Sequence, residues 1–172
     1  MSTIEVNTIK SISGTSTLTI GESGDTIALT SGAKTSGFGK IGQVVRNSST
    51  TSKSTNSTSI SELINVSITP TSTTSKIVIL VNVMMQVIAN NNAFSAIKLF
   101  RGTTSDTALQ EYYFGAQVAQ NRNDLYSVNY IDEPSTTSSQ QYTVGFRKAS
   151  TDTTTARTDG GHYEITLMEI LD

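Results

Sequence analysis

One stretch of the sequence matches a pattern that cradles phosphate groups. Residues 37–44 read GFGKIGQV, which fits the G-x-G-x-x-G-x-V pattern of kinase glycine-rich loops and the dinucleotide-binding fingerprint. Glu62 lies twenty residues beyond Gly42, where an acid could hold a ribose hydroxyl. Such a site also needs a helix after the glycines, and the Ser/Thr-rich run of residues 47–59 excludes one. We therefore predict a hinge at Gly37, Gly39 and Gly42, and no bound cofactor.

Other residue types that could do chemistry are sparse. His162 is the only histidine in the sequence, cysteine is absent, and no serine lies in a G-x-S-x-G elbow, so neither a Ser-His triad nor a zinc site is predicted. Acidic residues cluster at Asp132–Glu133 and between Asp152 and Asp159. Paired carboxylates can bind Ca²⁺ or hydrolyse a glycosidic bond. No calcium-loop spacing accompanies these carboxylates, so we predict no metal site, and whether a divalent cation binds stays open. Since no nucleophile with its base is found, we also predict no enzyme activity.

Aromatic side chains concentrate in the second half of the chain, at Tyr112, Tyr113, Phe114, Tyr126, Tyr130 and Tyr142. Tyrosine packs in cores, and it also contacts sugars and proteins because its ring stacks while its hydroxyl bonds. We predict core positions for most of them.

Composition narrows the class of protein. Serine and threonine supply 52 of the 172 residues, which favours strands joined by polar turns. The net charge of −2 offers no basic field for nucleic acid. The longest apolar run, Ile77–Val81, is too short to span a membrane. The first residues show no signal-peptide pattern, so we expect synthesis in a cytoplasm.

Eight segments alternate apolar and polar residues with the period of a β-strand. In the second of them the alternation places Ile64, Val66 and Ile68 on one face and Leu63 on the other. Short strands with polar turns favour an all-β fold, an antiparallel β-sandwich of the jelly-roll kind, over residues 41–172. The predicted strands are Ile41–Arg46, Ile60–Ile68, Ile77–Ala89, Phe94–Arg101, Leu109–Val118, Leu125–Ile131, Gln141–Lys148 and Tyr163–Ile170.

The strand predicted at Ile77–Ala89 is apolar on both faces, whereas a sandwich strand needs only one apolar face. We predict that the second face meets another copy of the chain, with cover by the chain's own loops as the alternative. The closing strand adds further apolar residues. The predicted residues of this interface between copies are Val78, Leu80, Met84, Ile88, Met168 and Ile170.

Residues 1–40 contain only short apolar pieces separated by glycine and serine. These pieces cannot bury a core of their own, so we expect them to gain order from partners, as an intertwined stalk or an anchor on another protein. The predicted anchor residues are Leu18, Ile20, Ile27 and Leu29.

Several stretches together resemble tail-fibre-like virion proteins of marine and cyanobacterial phages. The leading residues 1–45 resemble the N-terminal region of that group, and TPTSTTSKIVILVNV, LFRGTT, YIDEPSTTSSQQYTVGFR and ITLMEI are similar to its body. The resemblance implies a homotrimeric, jelly-roll-like head on the virion and carries over no catalytic residues.

Two functions follow from this resemblance. One is a tail fibre or fibre tip that attaches to a host-surface glycan or protein. The alternative is a capsid decoration protein that grips the shell through residues 1–40. Neither involves nucleic acid or membrane insertion.

Overall fold

The computed structural model describes residues 41–88, 93–116, 121–149, 153–156 and 162–171. The chain divides into two units between Phe38 and Gly39, and all of these residues belong to the second unit. They form β1 (Ile41–Ser49), β2 (Lys53–Thr55), β3 (Ser61–Ile68), β4 (Lys76–Ile88), β5 (Ala93–Arg101), β6 (Ala108–Ala116), β7 (Asn121–Asp132), β8 (Gln140–Lys148), β9 (Thr153–Ala156) and β10 (Tyr163–Ile170).

The eight long strands form four antiparallel pairs that are nested along the chain, with β5–β6 innermost and β1–β10 outermost. β5 pairs with β6, β4 with β7, β3 with β8 and β1 with β10, all antiparallel. These pairs are arranged in two sheets. The first has the strand order β1-β10-β4-β7, and the second has the order β3-β8-β5-β6. This nested pairing is the topology of a jelly roll. The predicted all-β sandwich is confirmed, and each of the eight predicted strands is present.

Two short strands were not predicted. β9 pairs with the last four residues of β4 and with β2, so both strands extend the first sheet. Their sequences, TTTA and KST, carry too few apolar residues to show a strand period.

The core lies between the two sheets because each strand turns alternate side chains inward. β4 contributes five fully or nearly fully buried apolar residues to this core, and β10 contributes three. The second sheet supplies the facing layer from β3, β5 and β8. The largest fully buried core residues are Leu63, Ile68, Ile77, Ile79, Met85, Ile97, Leu99, Tyr142, Phe146, Tyr163, Ile165 and Leu167.

Leu63 lies in this core, so its predicted position on the opposite strand face is wrong. The pairing of β3 with β8 shifts register between Glu62 and Ile64, which marks a β-bulge. A bulge lets two consecutive residues face the same side of a sheet. Leu63 and Ile64 are accordingly both buried, and the ammonium of Lys53 donates to the carbonyl of Leu63 at 2.8 Å.

Gly145 of β8 packs closely beneath side chains that cover the outer face of the second sheet. A Cβ at this position would lie 2.6 Å from Cγ2 of Ile60 and 3.2 Å from atoms of Phe100 and Thr104. We expect Gly145→Ala to lower the free energy of unfolding by about 1–3 kcal/mol, because the added methyl overpacks this contact. Urea denaturation measures the change.

A double-mutant cycle tests the cause. Ile60→Ala removes the Cγ2 that the new methyl would meet, so the two substitutions together should cost clearly less than the sum of the single costs. Additive costs would contradict the packing explanation.

Candidate interaction face

The outer face of the first sheet carries a row of apolar residues that crosses all four long strands. Val44 of β1 lies opposite Met168 of β10, Met168 lies opposite Val78 of β4, and Val78 lies opposite Ile131 of β7. Val44 is 55% exposed and Ile131 is 60% exposed. Soluble antiparallel sheets usually turn polar residues outward on such a face, so this row is unusual.

Neighbouring positions enlarge the row into a patch. Ile41 lies opposite Ile170 at the end where β10 finishes, and Leu80 follows Val78 on the same face of β4. We call these residues the apolar patch: Ile41, Val44, Val78, Leu80, Ile131, Met168 and Ile170. Farther along the same face, Met84 lies opposite Leu125, which is 63% exposed.

A polar cluster separates the apolar patch from Met84 and Leu125. Glu164 of β10 is its centre: its carboxylate pairs with Arg46, whose Nε lies 3.0 Å away, and with Nε2 of His162 at 3.3 Å. Nδ2 of Asn82 donates to the other oxygen at 3.2 Å, and Ser127 donates to Asn82 at 2.7 Å. The hydrogen bonds from Arg46 and Asn82 lower the pKa of Glu164 and so favour the charged carboxylate at the centre of the cluster.

The sequence-predicted site residues lie on this outer face, outside the described residues or, for Gly42, within β1. Val78, Leu80, Met84, Met168 and Ile170 all lie on this one outer face. The side chain of Ile88, the anchor residues Leu18, Ile20, Ile27 and Leu29, and the hinge residues Gly37 and Gly39 lie outside the described residues. Contact with other copies of the chain stays a prediction.

Gly42, the third predicted hinge residue, lies within β1 at a register shift against β10. A Cβ there would lie 2.8 Å from Cδ2 of Leu171. Close approach of Leu171 therefore gives a packing reason for glycine at this position.

Sequence reasoning missed Ile41, Val44, Leu125 and Ile131. The signal was present in β7, where apolar residues occur on both alternating sets of positions. Periodicity alone does not say which set faces the core, so the outward set stayed unrecognised.

Asp132, one of the acids considered for chemistry, is buried at the end of the sandwich where β7 finishes. Its carboxylate accepts from Nε of Arg101 at 2.7 Å and from the hydroxyl of Tyr142 at 2.6 Å. Burial, and then the adjacent Asp132, raises the pKa of the Tyr142 hydroxyl, which therefore remains a donor. The neighbouring Glu133 pairs with Lys76 at 3.0 Å on the surface. Asp132 therefore links β5, β7 and β8, whereas Glu133 forms only a surface pair.

Glu169 is a second buried carboxylate at the same end, because Ile77 of β4 lies between it and Asp132 in the sheet register. It accepts from Nε2 of Gln43 at 2.7 Å, and from the backbone N–H and the hydroxyl of Thr71 at 2.6 and 2.8 Å. Burial alone would raise its pKa, but the bonds from Gln43 and Thr71 outweigh burial and lower the pKa below the ordinary value for a glutamate.

This lowered pKa makes stability depend on pH. A carboxyl whose pKa is lower in the folded chain stabilises the fold above its unfolded pKa, and that contribution disappears as the pH falls through the folded value. We expect Glu169→Gln to weaken the dependence of the melting temperature on pH below about pH 4.5. Glu133→Gln, which removes one carboxylate from an exposed pair, is the matched control, and an equal change in the two variants would contradict the role given to buried Glu169.

An open cleft lies beside the polar cluster. It has a volume of about 380 Å³ and is lined by Arg46, His162 and the hydroxyl-rich residues Ser48, Ser49, Thr50 and Thr51. Among the residues that the structure describes, no three His, Cys, Asp or Glu side chains come together as a metal site. In the same part of the chain, no helix is long and apolar enough to cross a membrane.

Comparison with known proteins adds little to this geometry. No family model matches the chain, and no curated protein matches it. Among solved structures, the chain is similar to one from a work titled "Bacillus endospore appendages form a novel family of disulfide-linked pili". That match has a TM-score of 0.33 and 13% sequence identity, and it covers 81% of this chain and 98% of that chain.

Proposed function

We propose that this chain is a non-enzymatic subunit of a homotrimer on the surface of a phage virion. In this proposal it is a tail fibre or fibre tip: residues 41–172 form the head that attaches to a host-surface glycan or protein, and residues 1–40 join it to other virion proteins. The proposal needs a head with one surface for its own copies and another for the host.

The apolar patch is the observation that carries the proposal. The second sheet offers an internal comparison, because its outward positions on β3 are Asn65 and the exposed Ser67, and those on β5, β6 and β8 include Lys98, Glu111 and Arg147. Both sheets share one core, yet the first turns apolar residues outward on each of its four long strands, whereas the exposed rings Phe94 and Tyr113 of the second sheet lie on β5 and β6. A contiguous apolar surface of this kind marks an interaction site. We propose another copy of the chain as its occupant, because β4 within it is apolar on both faces, more than its own core requires.

The number of copies and the virion location come from the resemblance to tail-fibre-like proteins. Among the described residues, Asp132 and Glu169 are engaged by donors of the chain itself, which supports a structural rather than catalytic use of these acids.

Purified virions test the proposal directly. Immunogold electron microscopy should place the protein on the tail, and quantitative mass spectrometry should find a few tens of copies per particle. Hundreds of copies on the shell would instead support capsid decoration. Absence of the protein from purified particles would overturn both assignments.

A further inference from the structure

The outer face of the second sheet carries a charged cluster built from three strands. Glu111 of β6 accepts from the ammonium of Lys98 of β5 and from Nη2 of Arg147 of β8, each at 3.0 Å. Burial alone would raise the pKa of Glu111, but the bonds from Lys98 and Arg147 outweigh it and lower the pKa. The cluster therefore presents an ionised acceptor between two cationic donors.

Two exposed aromatic rings flank this cluster on the same face. Tyr113 is 59% exposed and Phe94 is 44% exposed. Tyr113 lies opposite Ala96, and Phe94 lies opposite Gly115, so the two rings are diagonal neighbours on adjacent strands, typically about 7–8 Å apart. Arg147 reaches across β5 to Tyr113: its Nη2 donates to the hydroxyl at 3.1 Å, and its guanidinium lies 5.8 Å from the ring centroid.

Stability alone gives an incomplete reason for this arrangement. Lys98, Glu111 and Arg147 are each 20–25% exposed, so their paired groups stay within reach of a ligand, and the exposed ring of Tyr113 forgoes apolar burial. Aromatic rings beside groups that both donate and accept are suited to a ligand with one apolar and one polar side.

We propose that this face binds a saccharide. The C–H face of a hexopyranose ring stacks on Tyr113 and Phe94, while neighbouring hydroxyls donate to Glu111 and accept from Lys98 and Arg147. A hydroxyl both donates and accepts, so a pair of neighbouring hydroxyls complements a carboxylate that stands beside two cations. No bond forms or breaks in this recognition.

The site rests on the proposed function and deepens it, because it gives the host ligand a chemical class and a location. The two outer faces lie on opposite sides of the sandwich. When other copies cover the apolar patch, the second sheet still faces outward. Three copies would then present three such sites, and their avidity would exceed the affinity of any single site.

Saturation-transfer difference NMR on the full chain tests the site. The probes are methyl glucoside, methyl galactoside, methyl mannoside, N-acetylglucosamine and glucuronic acid. At least one probe should receive saturation, strongest at the C–H protons of one ring face. Tyr113→Ala should weaken the affinity for that probe by about tenfold, whereas Tyr113→Phe, which keeps the ring, should weaken it less.

Tyr112→Ala is the matched control. Tyr112 precedes Tyr113 in β6 but lies opposite the buried Ile97, so it belongs to the other side of the sheet and its removal should leave the affinity within about twofold. Melting temperatures confirm that each variant is folded. The proposal is overturned if no probe receives saturation, or if Tyr113→Ala binds as the unmodified chain does. A virion protein that binds no probe refutes this site alone, whereas saccharide binding by a protein absent from virions refutes only the proposed function.

Discussion

A Leu80→Asp variant is expected to scatter light as a monomer of 18.4 kDa, whereas the unmodified protein should have three times that mass. Leu80 lies on the outer face of β4, the strand between β10 and β7 at the centre of the apolar patch. Its neighbours across the sheet are Thr166 and Asn129, and neither can neutralise an added carboxylate.

The expected size of this effect follows from the cost of burying charge. An unpaired charge held in an interface costs about 3–5 kcal/mol, so association should weaken by more than about a hundredfold. The monomer should remain folded, because Leu80 is only partly buried in the single chain and the added charge stays in water when no partner covers it.

Ser67→Asp is the matched control for this experiment. Ser67 is exposed on β3, and its alternation with the buried Ile68 places it on the outer face of the second sheet. The same charge there should leave the trimer mass unchanged. A trimeric Leu80→Asp variant would mean that the first sheet does not form the interface, and a monomeric unmodified protein would refute the trimer itself.

Arg101→Gln should cause the largest loss of stability, about 3 kcal/mol in the free energy of unfolding at neutral pH. Asp132, the partner of Arg101, is only 4% exposed. Removing the guanidinium leaves a buried carboxylate that still accepts from the hydroxyl of Tyr142. The hydrogen bond to Asp132 also raises the pKa of Arg101, so the guanidinium stays charged throughout the physiological range.

Lys76→Gln provides the comparison, because Lys76 pairs with Glu133, the residue next to Asp132, at the surface. Both partners are well exposed there, so the variant should lose less than about 1 kcal/mol. Urea denaturation of the two variants measures the difference. Equal losses would show that burial of Asp132 does not set the strength of its pair.

Much of the fold could be predicted from local patterns. Alternation along segments such as Tyr163–Ile170, where Tyr163, Ile165 and Leu167 face the core, depends only on neighbouring residues and the two-residue period of a strand. The double apolar character of β4 is equally local, which is why Val78, Leu80 and Met84 could be selected before any pairing was known.

Local patterns were therefore enough to predict the class of fold, the position of the eight long strands and a surplus apolar face on β4. Strand pairing required the folded chain, since β1 and β10 meet across more than a hundred residues through backbone hydrogen bonds that carry no local signature. The folded chain also decided that the bulge turns Leu63 inward, and that Val44 and Ile131 share a row with Met168. The contacts of Arg147 with Glu111 and Tyr113 have the same cause. They depend on strand order and register, which are set only when distant segments bury a common core.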